Sequence, residues 1–184
     1  AMKRPGFEAD RFALMAMDLA SGNSREIAAD WDRSAGGIVL SADGGTIYTT
    51  ADDMGEHPLF AVDVASGKVD KLIGDGSVTA VDVAGDSVAI TRNSLKSNDQ
   101  VLVGMLPAAG GTMGALRALT PAADEVLKDV QFGDYEQFSF KGWNNDTVHG
   151  YVVKPHDYQE GKRYPVAFLI HGGPQGSFGN GWSY

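Results

Sequence analysis

The sequence predicts all-β propeller blades followed by the first strands of an α/β domain, and three observations carry that prediction. Short β-rich runs recur with a step of about 45 residues, the length of one four-stranded blade. Beyond residue 120 this pattern gives way to a hairpin of alternating polar and apolar residues. The hairpin leads to an apolar run dense in β-formers, Tyr164-Pro165-Val166-Ala167-Phe168-Leu169-Ile170, which stops at His171-Gly172-Gly173-Pro174.

The chain opens on a charged Pro-Gly turn and enters a strand-like segment at residues 12–17 without a lead-in, as a true terminus or as the middle of a larger protein. The repeat starts there. Met15-Ala16-Met17-Asp18-Leu19-Ala20-Ser21-Gly22 is echoed by Phe60-Ala61-Val62-Asp63-Val64-Ala65-Ser66-Gly67, and faintly by residues 103–110. A further β-run follows each echo, at residues 24–27, 68–73 and 116–119. Between the echoes lie paired runs about a glycine-containing turn, 37–41 with 46–50 and 78–83 with 87–91. Asp-Gly and Ser-Gly turns suit tight hairpins because glycine supplies positive φ. A lone four-stranded sheet cannot bury both faces, so it stacks on neighbours, which is why such a unit repeats. A β-sandwich with similar turns is the alternative; the matched order of three elements favours the propeller. Two clear units and a degraded third are too few to close a ring of at least about four blades, so earlier blades are expected to be missing.

Residues 120–129 read as a connector or helical turn. Residues 134–143 and 147–155 then form the hairpin about Asn144-Asn145-Asp146, and a solvated loop leads to the apolar run at 164–170. That run is expected to be a fully buried strand. A buried strand entering a glycine-rich turn is where α/β sheets place ligands, outside the carboxyl ends of the strands. Serine hydrolases take one oxyanion-hole N–H from a His-Gly-Gly-Gly type of loop after the third strand. Glycine suits that job because a carbonyl oxygen can approach its main chain closely. Taken alone, His-Gly-Gly-Pro is equally a tight strand-exit turn; the strand ahead of it favours a ligand-facing loop.

Composition narrows the classes. A net charge of −9 and a pI near 4.7 oppose nucleic acid and anionic membrane surfaces as partners. No apolar stretch reaches the roughly 20 residues that span a bilayer, and the start carries no signal-peptide pattern. Without cysteine, disulfides and thiolate metal sites are excluded and the redox compartment stays open.

On Gly150-Tyr151-Val152-Val153-Lys154-Pro155 in the hairpin, and on residues 164–170 running into His171-Gly172-Gly173-Pro174-Gln175, the chain resembles the prolyl oligopeptidase family of serine peptidases. Within the family it is most similar to the branch of acylaminoacyl peptidases and bacterial dipeptidyl peptidases. The resemblance covers essentially the whole chain and is most specific over residues 135–176. It implies that residues 1–120 are the C-terminal blades of an incomplete propeller, 121–134 a connector, and 135–184 the N-terminal part of an α/β-hydrolase domain. It also implies that Gly173 offers its N–H to the oxyanion, with His171, Gly172 and Pro174 supporting the loop.

The family's nucleophile sits on a Gly-x-Ser-x-Gly elbow, with an Asp and a His farther on. Gly181-Trp182-Ser183-Tyr184 is no such elbow, because no strand of its own precedes it. The chain is therefore expected to be an internal fragment without a triad, and inactive by itself. The function so implied is part of a serine exopeptidase that releases dipeptides or acyl-amino acids from peptide N-termini by acyl transfer. Its expected partners are a peptide substrate and the remainder of the hydrolase domain, with no cofactor. A non-catalytic peptide- or protein-binding propeller and an esterase-like hydrolase are the alternatives. The branch suggests the periplasm, and the cytoplasm is equally compatible with the composition.

The other chemistry-bearing residues are scattered. A peptidase that cuts dipeptides must hold a free α-ammonium, and Glu8, beside the Pro-Gly turn, is the candidate carboxylate; the competing reading pairs Glu8 or Asp10 with Arg4 or Arg11. His57, His149 and His156 share no metal-ligand spacing and read as structural or solvent-facing, and no metal site is expected. Phe178, Trp182 and Tyr184 either floor a pocket or pack beneath a loop.

Overall fold

A computed structural model describes residues 1–108, 110–120, 127–173 and 175–183. Their strands form antiparallel sheets in chain order. Strands β1 (Leu14–Met17) and β2 (Ser24–Ile27) form the first sheet. The second, in the order β3-β4-β5-β6, comprises β3 (Val39–Leu40), β4 (Thr46–Thr50), β5 (Leu59–Asp63) and β6 (Val69–Ile73). The third repeats that order with β7 (Ser77–Ala84), β8 (Ser87–Ser94), β9 (Ser97–Met105) and β10 (Arg117–Ala118). A separate hairpin pairs β11 (Tyr135–Lys141) with β12 (Thr147–Val153).

The sequence repeat coincides with this architecture. Its three echoes fall on β1, β5 and β9, and the runs after them on β2, β6 and β10. The turns agree in atomic detail. Asp18 Oδ1 accepts from the Ser21 N–H and Oγ, both at 2.7 Å, and Asp63 Oδ1 accepts from the Ser66 N–H and Oγ, both at 2.6 Å. These bonds to the charged form lower the pKa of both carboxyls.

The alternation of a strand sends successive side chains to opposite faces, and the middle sheet is buried on both. Ile47 and Val62 face the first sheet, packing with Leu14 and Ile27. Tyr48 and Leu59 face the third, packing with Leu72, Val78, Val88, Ile90 and Leu102. Face-to-face stacking of consecutive four-stranded sheets is the propeller arrangement expected from the repeat.

The β11–β12 hairpin turns through a 3-10 turn, Trp143–Asn145. Asn144 and Asn145 both take positive φ, 55° and 62°, a conformation that asparagine tolerates better than most residues. The connector expected at 120–129 falls largely outside the described residues.

One expectation is corrected. The run 164–170 is neither paired nor buried: Val166 is 85% exposed and Phe168 79%. Its composition favours a buried strand, but a strand needs lateral hydrogen-bonding neighbours and a covering layer. Among the described residues none supplies either, so the segment is left unpaired and exposed.

Candidate functional site

The His-Gly-Gly loop leaves that extended run with its main chain exposed. Gly173 adopts φ +145°, a conformation that side chains at Cα rarely allow, so glycine is required there. None of the described residues accepts a hydrogen bond from the Gly173 N–H. A main-chain N–H without an acceptor among the described residues meets the chemical requirement for binding an oxyanion. His171 is exposed, its Nδ1 lies 3.2 Å from the Gly172 carbonyl, and its ring meets Phe178 edge-on with centroids 6.1 Å apart. Pro174 lies outside the described residues, as does Tyr184.

Immediately after the loop the chain docks onto the blades. Gly179 lies so close to the Gly55 carbonyl that a Cβ has no room. The Asn180 N–H donates to the Gly55 carbonyl at 2.7 Å, and the Trp182 N–H donates to Asn93 Oδ1 at 3.0 Å. Asn180 itself is only 3% exposed. Its Nδ2 donates to both oxygens of Glu56, at 3.2 and 3.0 Å, and to the Tyr135 hydroxyl at 3.1 Å; its Oδ1 accepts from the Leu95 N–H at 3.0 Å. Glu56 also accepts from the Tyr151 hydroxyl at 2.9 Å and from the Gly76 N–H at 2.6 Å. Burial, reinforced by the Glu56 carboxylate, pushes the Tyr151 hydroxyl well above the usual phenol range. The Gln137 amide donates to the Met54 carbonyl, and Lys96 pairs with Asp134 at 2.6 Å, so the hairpin and its lead-in are tied to the same blade loops.

The network around Asn180 escaped sequence reasoning. Glu56 and Asn180 are 124 residues apart, and the one local sign was the pair of small residues flanking Asn180 in Gly179-Asn180-Gly181.

Glu8 is exposed with no hydrogen bond to a described residue. Its neighbours are engaged elsewhere. Asp10 accepts from the Arg4 backbone N–H, which lowers its pKa, the Arg4 guanidinium lies 3.9 Å from the Phe7 ring centroid, and Arg11 pairs with Glu26. The structure therefore leaves Glu8 free for a ligand and does not bring it into contact with the Gly173 loop.

His57 sits 2.7 Å from Asp52, whereas His149 and His156 are solvent-exposed. Among the described residues no group of three His, Asp or Glu side chains converges to hold a metal ion. Trp182 packs edge-on against Phe132, with centroids 5.8 Å apart, beneath the loop's exit.

Stacked blades followed by a hairpin and a His-Gly-Gly loop are the arrangement that the resemblance to the prolyl oligopeptidase family implies. No family model matches the chain. It is 35% identical over 188 residues to dipeptidyl-peptidase 5 of Arthroderma otae, covering 99% of this chain and 25% of that protein. It is 32% identical over 190 residues to dipeptidyl-peptidase 5 of Aspergillus fumigatus, with the same coverage. The chain thus spans about a quarter of the length of the curated relatives it matches.

Among solved structures, an acylaminoacyl peptidase in complex with Z-Gly-Gly-Phe-chloromethyl ketone shares the fold with a TM-score of 0.69 at 22% identity, over 88% of this chain and 24% of that one. Dipeptidyl peptidase 4 of Porphyromonas gingivalis does so with a TM-score of 0.58 at 21% identity, over 83% and 22%. The chain is a relative of the prolyl oligopeptidase family, and the curated relatives it matches are dipeptidyl peptidases. No helix among the described residues is long and apolar enough to cross a membrane.

Proposed function

We propose that the chain is the propeller-to-hydrolase portion of a serine exopeptidase that removes dipeptides or acyl-amino acids from peptide N-termini. In this division residues 1–120 are C-terminal blades, 121–134 the connector and 135–184 the opening of the catalytic domain. A serine on a part of the protein outside this chain attacks the scissile carbonyl. The electron pair moves onto the carbonyl oxygen, and the Gly173 N–H donates to that developing oxyanion, held by His171, Gly172 and Pro174. A preorganised donor of this kind supplies about 3–4 kcal/mol of transition-state stabilisation. The blades limit access to small peptides, and the Glu8 carboxylate pairs with the substrate's free ammonium. Export to the periplasm belongs to the same proposal.

The observation that carries it is the unsatisfied N–H of Gly173, held at φ +145° in the loop after residues 164–170. Fluorophosphonate labelling of the full-length protein, with hydrolysis of free-amine dipeptidyl and N-acetylated substrates, tests it. A labelled serine and turnover of either class are expected. A folded full-length protein that neither labels nor hydrolyses is a binding module instead.

A further inference from the structure

The amide of Asn180 has no freedom of orientation. Leu95 offers it a donor, while Glu56 and the Tyr135 hydroxyl take its N–H groups. Turning the amide over sets its carbonyl oxygen against a carboxylate and its NH2 against an N–H. Such a satisfied polar cluster, centred on the buried Asn180, holds one geometry, because every alternative leaves a charged or polar group unpaired. The cluster joins four distant parts of the chain: the β4–β5 loop at Gly55 and Glu56, the β8–β9 turn at Leu95, the hairpin at Tyr135 and Tyr151, and the segment leaving the Gly173 loop.

From Asn180 the connection runs back to Gly173 through side chains. Phe178, two residues before Asn180, leans on the His171 ring, and His171 contacts the Gly172 carbonyl. The loop itself is exposed throughout its described residues. Its fixed point is therefore outside it, at the docked stretch 179–182, where Gly179 abuts Gly55 and Trp182 bonds to Asn93.

We infer that Asn180 is a positioning residue for the Gly173 N–H: by clamping the exit of the loop to Glu56 on the blades, it sets where the oxyanion donor points. This assignment rests on the peptidase function proposed above. It makes the propeller an active part of the oxyanion geometry as well as a screen for substrates, and it gives Glu56 a role in turnover without contact with substrate.

The test exchanges the charges of the pair in the full-length protein. Asn180→Asp sets two carboxylates against each other and releases the clamp. Combined with Glu56→Gln, it restores an amide facing a carboxylate: the new amide oxygen keeps the Gly76 N–H, its NH2 faces the new carboxylate and a Tyr151 hydroxyl turned to accept, and the Leu95 N–H and the Tyr135 hydroxyl, the latter turned to donate, bond to the carboxylate. Two readouts are taken: hydrogen–deuterium exchange of residues 171–178, and kcat with KM on a dipeptidyl substrate.

Asn180→Asp is expected to speed exchange in 171–178 and to lower kcat by about 100-fold, the scale of a misplacement near 1 Å, with KM little changed. The double variant is expected to recover most of both losses, a coupling that only a direct interaction produces. Unchanged exchange in a folded Asn180→Asp protein, or a double variant as impaired as the single one, overturns the assignment. Faster exchange with rescue but unaltered kcat upholds the clamp and shows instead that Gly173 is not the oxyanion donor. Should Asn180→Asp fail to fold, Asn180→Ala removes the clamp without adding charge and carries the same expectations for exchange and kcat.

Discussion

Replacing Leu59 by Ala probes the stacking of the sheets that carry the site. Leu59 is 0% exposed and lies between the second and third sheets with Tyr48, Leu72, Val78 and Val88. The change removes buried methylene-type carbons worth about 2 kcal/mol in transfer free energy. It also leaves a cavity, and because β5 is held by β4 and β6 on either side, the walls cannot collapse to fill it. The cavity raises the expected loss to about 3–4 kcal/mol, within the range of large-to-small core substitutions.

Urea unfolding followed by circular dichroism reads this as a fall in midpoint of about 1.5–2 M, for a slope near 2 kcal/mol/M. Leu19→Ala is the control, since Leu19 is 92% exposed and its loss is expected to stay within about 0.5 kcal/mol. A cost below about 1 kcal/mol for Leu59→Ala refutes a packed inter-sheet core at that position.

Two further outcomes are expected. Asp53 is bonded by Lys71 and by the Arg33 guanidinium, and these cations hold its carboxyl below the usual carboxylate range, Lys71 contributing most. A lowered folded pKa gives stability that is fully present above the unfolded value and is lost as pH falls through the folded one. Asp53→Asn should therefore be destabilised most at neutral pH and begin to converge with the wild type below about pH 4, as read by thermal unfolding across pH; a constant difference at all pH values contradicts the ion cluster. For Glu8, the Gln variant of the full-length enzyme should raise KM for free-amine dipeptidyl substrates and spare N-blocked ones, and equal effects on both exclude ammonium anchoring.

Local chemistry accounts for what the sequence revealed. The blade repeat was legible because each unit must form the same hairpins, and the Asp18 and Asp63 turns satisfy the same hydrogen bonds with the same residues. The β11–β12 hairpin was legible because Asn144 and Asn145 mark positive φ between alternating strands. The segment 164–170 was misjudged, since composition reports a preference for burial but not whether neighbours are at hand to bury it. Glu56 and Asn180 were invisible because neither belongs to a motif and their pairing is made only by the docking of the loop exit on the blades. Gly173 was legible as a glycine position from its loop, whereas its oxyanion role came from the family resemblance alone, because that role depends on what the N–H faces.

The most direct measurement of the central claim is to remove that one N–H while keeping every side chain in place. An amide-to-ester replacement at residue 173, introduced by semisynthesis into the full-length protein, keeps the glycine backbone free to hold φ +145° while deleting the donor. A fall in kcat of about 100- to 1000-fold with KM essentially unchanged is expected for an oxyanion donor. An unaltered kcat contradicts it.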